Sequence, residues 1–383
     1  MSYLESTVLR VPSGPGKLLH LNWALALLLP TVALIGVGML YSVAGGDLDP
    51  WARAQAIRLG FGMTAMIAIA MVPIWIWRGL SGIAYGGALL LLVAVEVMGE
   101  IGMGAQRWID LGPIRLQPSE LMKFALVMML AAYYDWLDPR RVSNPVWVAL
   151  PLALIAVPTY LTLKQPDLGT AILLLAGGGM VMFCAGVSWW YFVAVVAAAG
   201  GAVWAVLEGR GTDWQILEDY QYRRIDTFLD PSADPLGAGY NITQAQIALG
   251  SGGWSGKGFM QGTQSQLNFL PEKHTDFIFT VLAEEFGFIG AATLLALYAA
   301  IVAFCVVTAL RTRDRFASLL CLGIAGSFFL YFAINMAMVT GLAPVVGVPL
   351  PLVSYGGTAM IVILAAFGLV QSANVHRPRP ARG

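Results

Sequence analysis

Charge is scarce in this chain. Asp, Glu, Lys and Arg make up 11% of its 383 residues, against about 25% in an ordinary soluble domain. Apolar residues make up 58% and lie in long runs. That excludes a typical soluble enzyme and implies a multi-pass membrane protein. Lys plus Arg and Asp plus Glu are equal at 22 each, so no basic excess points to nucleic acid. Cysteine is nearly absent. Cys184, Cys305 and Cys321 each sit inside an apolar run and read as small buried hydrophobes, not as a disulfide or metal set. No metal-binding cluster is legible among the three histidines and the acids.

What the chain has is oil in span-sized pieces. A crossing helix needs about 20 apolar residues. Ten stretches qualify, near 21–42, 55–77, 80–98, 118–134, 145–163, 167–186, 188–207, 284–310, 316–342 and 350–375. The expected fold is an all-α polytopic membrane protein with ten transmembrane helices. The first run is too long for the apolar region of a signal peptide, and more spans follow it. No internal repeat or low-complexity tract is visible.

Basic residues orient the bundle. Arg10, Lys17, Arg78, Arg140, Arg141, Arg311, Arg313, Arg315, Arg377, Arg379 and Arg382 all fall on one side if there are ten spans. That side is the cytoplasm. A cytoplasmic tail over 1–20, a membrane domain over 21–375 and a cytoplasmic tail over 376–383 follow. The largest outer loop is 208–275, between helices seven and eight, and a second joins helices three and four over 99–117. Arg53, Arg58, Arg107, Arg115 and Lys164 break the charge rule, and function is one reason for charges on the wrong side.

Four outer stretches carry chemistry. In "GAQRWIDLGPIRLQPSELMK", 104–123, Pro118 suits the first turn of a helix. Glu120 then favours the helix dipole, and Lys123 lies three residues on along the same face. Either this is a capped helix with a snorkelling lysine, or the pair faces a cavity at membrane depth. Arg107 and Arg115 stand just above, and two guanidiniums with an ammonium suit a diphosphate. Trp108 suits a sugar face or the membrane interface. In "LTLKQPDLGTA", 161–171, Lys164 closes one helix and Asp167 opens the next, as a cap or beside a bound anion. In "PVVGVPLPLVSYGGTAM", 344–360, three prolines and Gly347 break the backbone. Ser354 and Tyr355 then line a wet cavity, or the glycines after them serve a tight helix crossing.

The fourth stretch is "FLPEKHTDFIFTVLAEE", 269–285. From Asp276 to Leu310 a helix would run about 52 Å, longer than the ~30 Å hydrocarbon core. The span proper is therefore nearer 286–310. Residues 276–285 stand above it, and "FIFTVL" must bury itself against other helices or the loop. One reading makes Thr275 or Asp276 only the cap of that helix; His274 reads as a solvent-facing loop histidine. Upstream, 241–249 reads as a short amphipathic helix with Ile242, Ala245, Ile247 and Leu249 apolar. The glycine run after it either cradles an anion with backbone N–H groups or only permits turns.

Taken in chain order, with "GKGFMQGTQSQLNFLPEKHTDFIFTVLAEEFG" ahead of "PLPLVSYGGTAM", these four stretches resemble the SEDS family (shape, elongation, division and sporulation proteins), and the resemblance covers nearly the whole chain. It implies a ten-helix peptidoglycan glycosyltransferase acting on lipid II and releasing undecaprenyl diphosphate during cell elongation, in the bacterial inner membrane. It also implies a class B penicillin-binding protein as partner, alongside other membrane proteins of the elongation complex. The family's essential acid falls on Asp276.

The chemistry asks for the same parts. A sugar hydroxyl is a poor nucleophile and needs a base, the role given to Asp276. The departing diphosphate needs cations. Arg107, Arg115, Lys123 and Lys164 are the candidates, with Glu120 orienting Lys123; a divalent cation, Mg or Mn, is an open addition to them. A lipid II flippase is the competing class, and a division-specific polymerase the competing member. A flippase needs polar groups through both leaflets, whereas the ionisable residues here cluster at the outer side. Helices eight and nine, 284–342, have few polar positions outside the motifs and are where a single-pass transpeptidase is expected to dock.

Overall fold

The computed structural model describes residues 9–10, 14–98, 100–102, 105–110, 115–212, 215, 222, 226, 229, 238–267, 269–270, 272–377 and 379–380. Much of the expected loop 208–275, and parts of both tails, lie outside the described residues. The helices are α1 (Trp23–Val43), α2 (Ala52–Met71), α3 (Ile74–Met98), α4 (Pro118–Trp136), α5 (Pro145–Lys164), α6 (Leu168–Cys184) and α7 (Trp189–Glu208). They continue as α8 (Ala238–Ser251), α9 (Thr263–Gln266), α10 (Ile278–Arg311), α11 (Arg315–Val339) and α12 (Ala359–Val375).

A helix lies in each of the ten expected stretches. Seven are long and apolar enough to cross a membrane: α1, α2, α3, α5, α7, α10 and α11. Helices α6 and α12 are shorter apolar helices of 17 residues each, and α4 carries Glu120, Lys123 and Asp135 among its 19. The chain is thus a polytopic helical membrane protein.

At the bundle centre, α11 packs on α4, α6, α10 and α12. The closest pair is α2 with α12, where Gly62 and Gly368 remove the side chains that would separate them: a Cβ on Gly62 would sit 2.5 Å from Leu364 Cδ1, and one on Gly368 2.8 Å from the Met66 carbonyl oxygen. Helix α7 has no buried residue. The expected amphipathic helix is present as α8, but its buried residues include Ile242, Ala245 and Ala248, while Ile247 is exposed. Buried positions three apart put the seam slightly off the one read from sequence.

Two small antiparallel sheets frame the bundle. Leu9–Arg10 (β1) pairs with Arg379–Pro380 (β5), so the two ends of the described chain meet. At the opposite rim, Glu100–Gly102 (β2), Ala105–Asp110 (β3) and Arg115–Leu116 (β4) form a meander that delivers the chain to α4.

Helix α10 is not continuous. Gly287 sits at φ 66°, ψ −163°, backbone that only glycine adopts freely. This is where the span was expected to begin. The break frees carbonyls above it and N–H groups below it, and the glycine run 250–258 takes them up. Lys257 N and Gly258 N donate to the carbonyls of Glu284 and Glu285 at 3.0 and 2.9 Å. Phe288 N and Ile289 N donate to the carbonyls of Gly253 and Trp254 at 2.8 and 3.1 Å. Side chains would prevent the approach: a Cβ on Gly252 would lie 2.0 Å from the Ala283 carbonyl oxygen, and one on Gly256 2.1 Å from that of Glu285. Neither reading of the glycine run, anion cradle or plain turns, included this close backbone approach to the neighbouring helix.

Gly256→Ala should therefore be strongly destabilising. Its φ of 78° alone costs about 1–3 kcal/mol for a residue with a Cβ, and the overlap adds to that. Thermal unfolding in detergent checks this; an unchanged midpoint would remove the clasp from the fold's essential contacts.

Candidate active site

The stretch 272–277 is a strap laid on the irregular segment 344–358. Tyr355 N donates to the His274 carbonyl at 2.9 Å. Ser354 Oγ donates to the Thr275 carbonyl at 2.5 Å and accepts from Leu350 N at 2.7 Å. Asn335, fully buried on α11, donates from Nδ2 to the carbonyls of Asp276 and Val348 at 2.9 and 2.8 Å. From below, the Tyr298 hydroxyl donates to the Pro351 carbonyl. Leu352 is held at φ 67°, a left-handed conformation kept only where surroundings over-determine it. The side chains of Ser354 and Asn335 thus fix the backbone on which Asp276 sits.

The Asp276 carboxylate itself does not cap α10. The cap position is Phe277, without a side-chain cap bond. The carboxylate is half-buried and faces Gly347, whose built Cβ would be 3.9 Å from Oδ2. Burial, and to a lesser extent the Glu272 charge, push its pKa up to about 6. That value suits a base working near neutrality.

His274 is not solvent-facing. It is half-buried and stacks on Trp51, with centroids 4.5 Å apart. Burial pushes its pKa down, against the raising effect of Glu272, so the ring is neutral near pH 7.

A deprotonated Asp276 has a measurable consequence. A carboxylate base is active only when ionised, so kcat/KM should rise as pH passes through about 6 and then level off. Glu272→Gln removes a negative neighbour, favours the ionised form and should move that limb to lower pH. A pH–rate profile identical to the wild type would disconnect Glu272 from the acid.

A second centre lies one turn along α11. Lys123 Nζ donates to Glu120 Oε1 at 2.7 Å and also bonds the Tyr331 hydroxyl. That hydroxyl donates to Glu120 Oε2 at 2.8 Å. All three are buried, at 4%, 4% and 1% exposure. An ion pair so far out of water holds together only because each partner is satisfied. Of the two readings of Glu120 and Lys123, the snorkelling one is excluded by this burial. Tyr331 and Asn335 are four residues apart, so one face of α11 holds both the ammonium–carboxylate pair and the strap of Asp276. A cavity of about 10 Å³ lies beside Tyr331, between it and the irregular segment, bordered by Pro349, Leu350 and Ser354.

The other expected residues fall around this axis. Asp167 caps α6, accepting from Thr170 N at 3.1 Å and Thr170 Oγ1 at 2.9 Å, and from Gln117 Nε2 at 3.3 Å. Arg107 Nε donates to the Gln165 carbonyl at 3.0 Å, and its Nη2 to that of Pro166, so its guanidinium holds the turn between α5 and α6. Lys164 lies on the same turn, 5.2 Å over the Tyr160 ring, and its side chain is exposed. Trp108 lies against Gly357, whose built Cβ would be 3.4 Å from the ring, with the Arg115 carbonyl oxygen 3.8 Å away. Tyr355 is half-buried beneath an arginine.

That arginine, Arg58 on α2, donates to the Tyr355 hydroxyl at 3.1 Å and lies 4.7 Å over its ring. Its Nη1 is buried and without a partner in the structure. Sequence reasoning did not place Arg58 in the site, although it was one of five basic residues breaking the charge rule. Nor did it place Gln55, which donates to the Ser354 carbonyl at 2.9 Å, Tyr331 or Asn335. Buried polar residues inside apolar spans are the signal that finds all three.

Fold and site together define a polytopic membrane protein with a raised-pKa acid at one rim and a buried ion pair behind it. A family model for FtsW, RodA and SpoVE, described as "Cell cycle protein", matches residues 17–379; the chain belongs to this family, the SEDS proteins. It is 42% identical to the peptidoglycan glycosyltransferase MrdB of Escherichia coli K12, over 94% of both chains. It is 34% identical to the stage V sporulation protein E of Bacillus subtilis, over 92% of this chain and 95% of that one. Among solved structures it is similar to the rod shape determining protein RodA of Thermus thermophilus, with a TM-score of 0.69 and 30% identity over 93% and 97% of the chains. A chain in the structure described as "Structural coordination of polymerization and crosslinking by a peptidoglycan synthase complex" gives a TM-score of 0.79 at 33% identity, over 92% and 97%.

Proposed function

We propose that this protein is a peptidoglycan glycosyltransferase that polymerises lipid II into glycan strands at the outer face of the bacterial inner membrane during cell elongation. The single observation that carries the mechanism is the half-buried Asp276, its pKa pushed up to about 6, fixed by Asn335 and Ser354. Its carboxylate takes the proton of the acceptor sugar hydroxyl. The hydroxyl oxygen forms the new bond to the anomeric carbon as the bond to the diphosphate breaks. The configuration passes from α to β in one in-line displacement, and undecaprenyl diphosphate leaves.

Preorganised cations stabilise the departing charge. Arg58, with its unpartnered buried Nη1, joins Arg115, Lys123 and Lys164 as candidates. Arg107 is committed to two carbonyls and acts as a positioning residue. A divalent cation would take one or two carboxylates plus substrate phosphates. Glu272, near enough to raise the Asp276 pKa, is the carboxylate that would hold it while leaving Asp276 free as the base, and the cation would supply charge neutralisation.

Gel analysis of purified protein with its partner and fluorescent lipid II tests this reading; absence of glycan product from an intact complex would overturn it. The family resemblance supports a class B penicillin-binding protein as that partner. Of the two helices expected to carry its docking face, 61% of the residues in an apolar 18-residue stretch of α11 are buried, against 33% in such a stretch of α10, so α10 offers the freer surface.

Ten crossings with both ends cytoplasmic place Asp276 outside. A cysteine at residue 220, in the expected outer loop, would test this by labelling, but residue 220 lies outside the described residues. Trp254, 74% exposed on the glycine clasp, replaces it: Trp254→Cys should react with an impermeant thiol reagent in intact cells. Labelling only in inverted vesicles would reverse the topology.

A further inference from the structure

One cavity bordered by described residues is not at the Asp276 rim. It is a groove of about 630 Å³ at the opposite end of the bundle, between the start of α1, the last third of α10 and the end of α12. One wall is a stripe on α10: Ala300, Ala303, Phe304 and Val307, leading to Arg311. These positions recur at the three- and four-residue spacing of one helix face. Ala300 and Ala303 are small, and they make the hollow. From Ala300 to Arg311 the stripe rises about 16 Å, close to half of the ~30 Å hydrocarbon core. The groove therefore spans one leaflet and no more.

Its mouth is cationic. Arg311 and Arg377 both line it. They are near enough that Arg311, together with burial, pushes the Arg377 guanidinium below its usual value. Among the described residues, no Asp or Glu lines the groove. Asp314, the acid nearest to Arg311 in sequence, is engaged by Arg78. Lys17, on the same side, is committed to the Met71 carbonyl at 2.9 Å. Two like charges converging at the end of an apolar channel, without an acid between them, are complementary to one anionic group carrying a hydrocarbon chain.

We infer that this groove binds an anionic glycerophospholipid of the cytoplasmic leaflet, its phosphate between Arg311 and Arg377 and one acyl chain along Ala300, Ala303 and Val307. A partner's transmembrane helix fits less well. It would need an apolar face through both leaflets, and this one stops at mid-depth. The inference is independent of the chemistry at Asp276.

Native mass spectrometry of the full chain in detergent tests it, with phosphatidylglycerol and phosphatidylcholine of equal chain length as probes. One phosphatidylglycerol should be retained in preference to phosphatidylcholine. Arg311→Gln with Arg377→Gln should weaken that retention about tenfold or more, since hydrogen bonds to a charged group are being lost. Ala303→Trp, at an exposed position, should fill the channel and expel the lipid without touching the charges. Arg313→Gln, an exposed arginine outside the groove, should change nothing. Thermal midpoints of the variants establish that each is folded. Equal retention of both lipids, or retention unchanged in folded Ala303→Trp, would overturn the inference. So would displacement of the lipid by equimolar inorganic phosphate, or a photocrosslinker at 303 that captures a protein helix in membranes.

Discussion

Asp276→Asn should abolish glycan polymerisation in a protein that still folds and still binds its partner. Asn keeps the shape and hydrogen-bonding capacity of the side chain and removes only basicity. General-base catalysis contributes about 10²–10⁴ in rate, so activity should fall to the edge of detection. The alternative, that the acid merely caps the helix, predicts near-normal activity for Asn and loss for Ala. The geometry is against it, because the cap position is Phe277 and no side chain makes a cap bond there. Asp276→Glu should also be poor. One added methylene moves the carboxylate by about 1 Å, enough to cost on the order of 10², and Gly347 faces it at close range. Robust polymerisation by purified Asp276→Asn would end the base assignment.

Lys123→Met should cost both stability and turnover. From sequence alone this substitution is expected to leave expression intact and reduce only the chemistry. The structure changes the first half of that expectation. With Lys123 removed, Glu120 is left buried beside Tyr331 without its counter-charge, a loss of about 3–5 kcal/mol for such pairs. Glu120→Gln with Lys123→Met should recover most of the stability by deleting both charges. That double variant then isolates the catalytic question. If Lys123 also serves the diphosphate, it should be well folded and still about 10²–10³ slower. Full turnover in the folded double variant would make the pair purely structural. Detergent thermal melts and polymerisation gels on the same preparations separate the outcomes.

What was legible in the sequence was whatever a local pattern encodes. Apolar runs located a helix in every expected stretch, because lipid imposes length and composition on each span separately; the boundaries were looser, and the last helix begins at Ala359, nine residues after the expected 350, because the broken backbone of 344–358 runs on into the apolar stretch. Asp276, Lys123 and Glu120 stood out because charge is rare in such segments. Ser354 and Tyr355 stood out as polar groups in broken backbone, yet what Ser354 does was hidden. Its hydroxyl is used on the backbone of a strap 79 residues away, and no periodicity reports that. Arg107 was read as an anion ligand because a guanidinium suits phosphate; the carbonyls it serves belong to the turn after α5. Tyr331 and Asn335 went unnoticed because one aromatic and one amide in an apolar helix look ordinary until they point at the same face. The meander of β2, β3 and β4 was read only as a loop, since its strands are two to six residues long.

The break at Gly287 puts a joint between the acid and the spanning part of the helix behind it. Spanning helices tilt when the membrane thickens or thins, and a rigid 34-residue rod would swing its upper end by several ångströms in response. Here the rod is jointed, and the glycine clasp is bonded to both pieces, to the Glu284 and Glu285 carbonyls above and to the Phe288 and Ile289 N–H groups below. Asp276 is held besides by Asn335, and its neighbour Thr275 by Ser354, so its place against Gly347 is set by α11 and the segment 344–358 and not by the spanning helix alone. An enzyme whose substrate arrives through the membrane has its base referenced to protein, not to lipid.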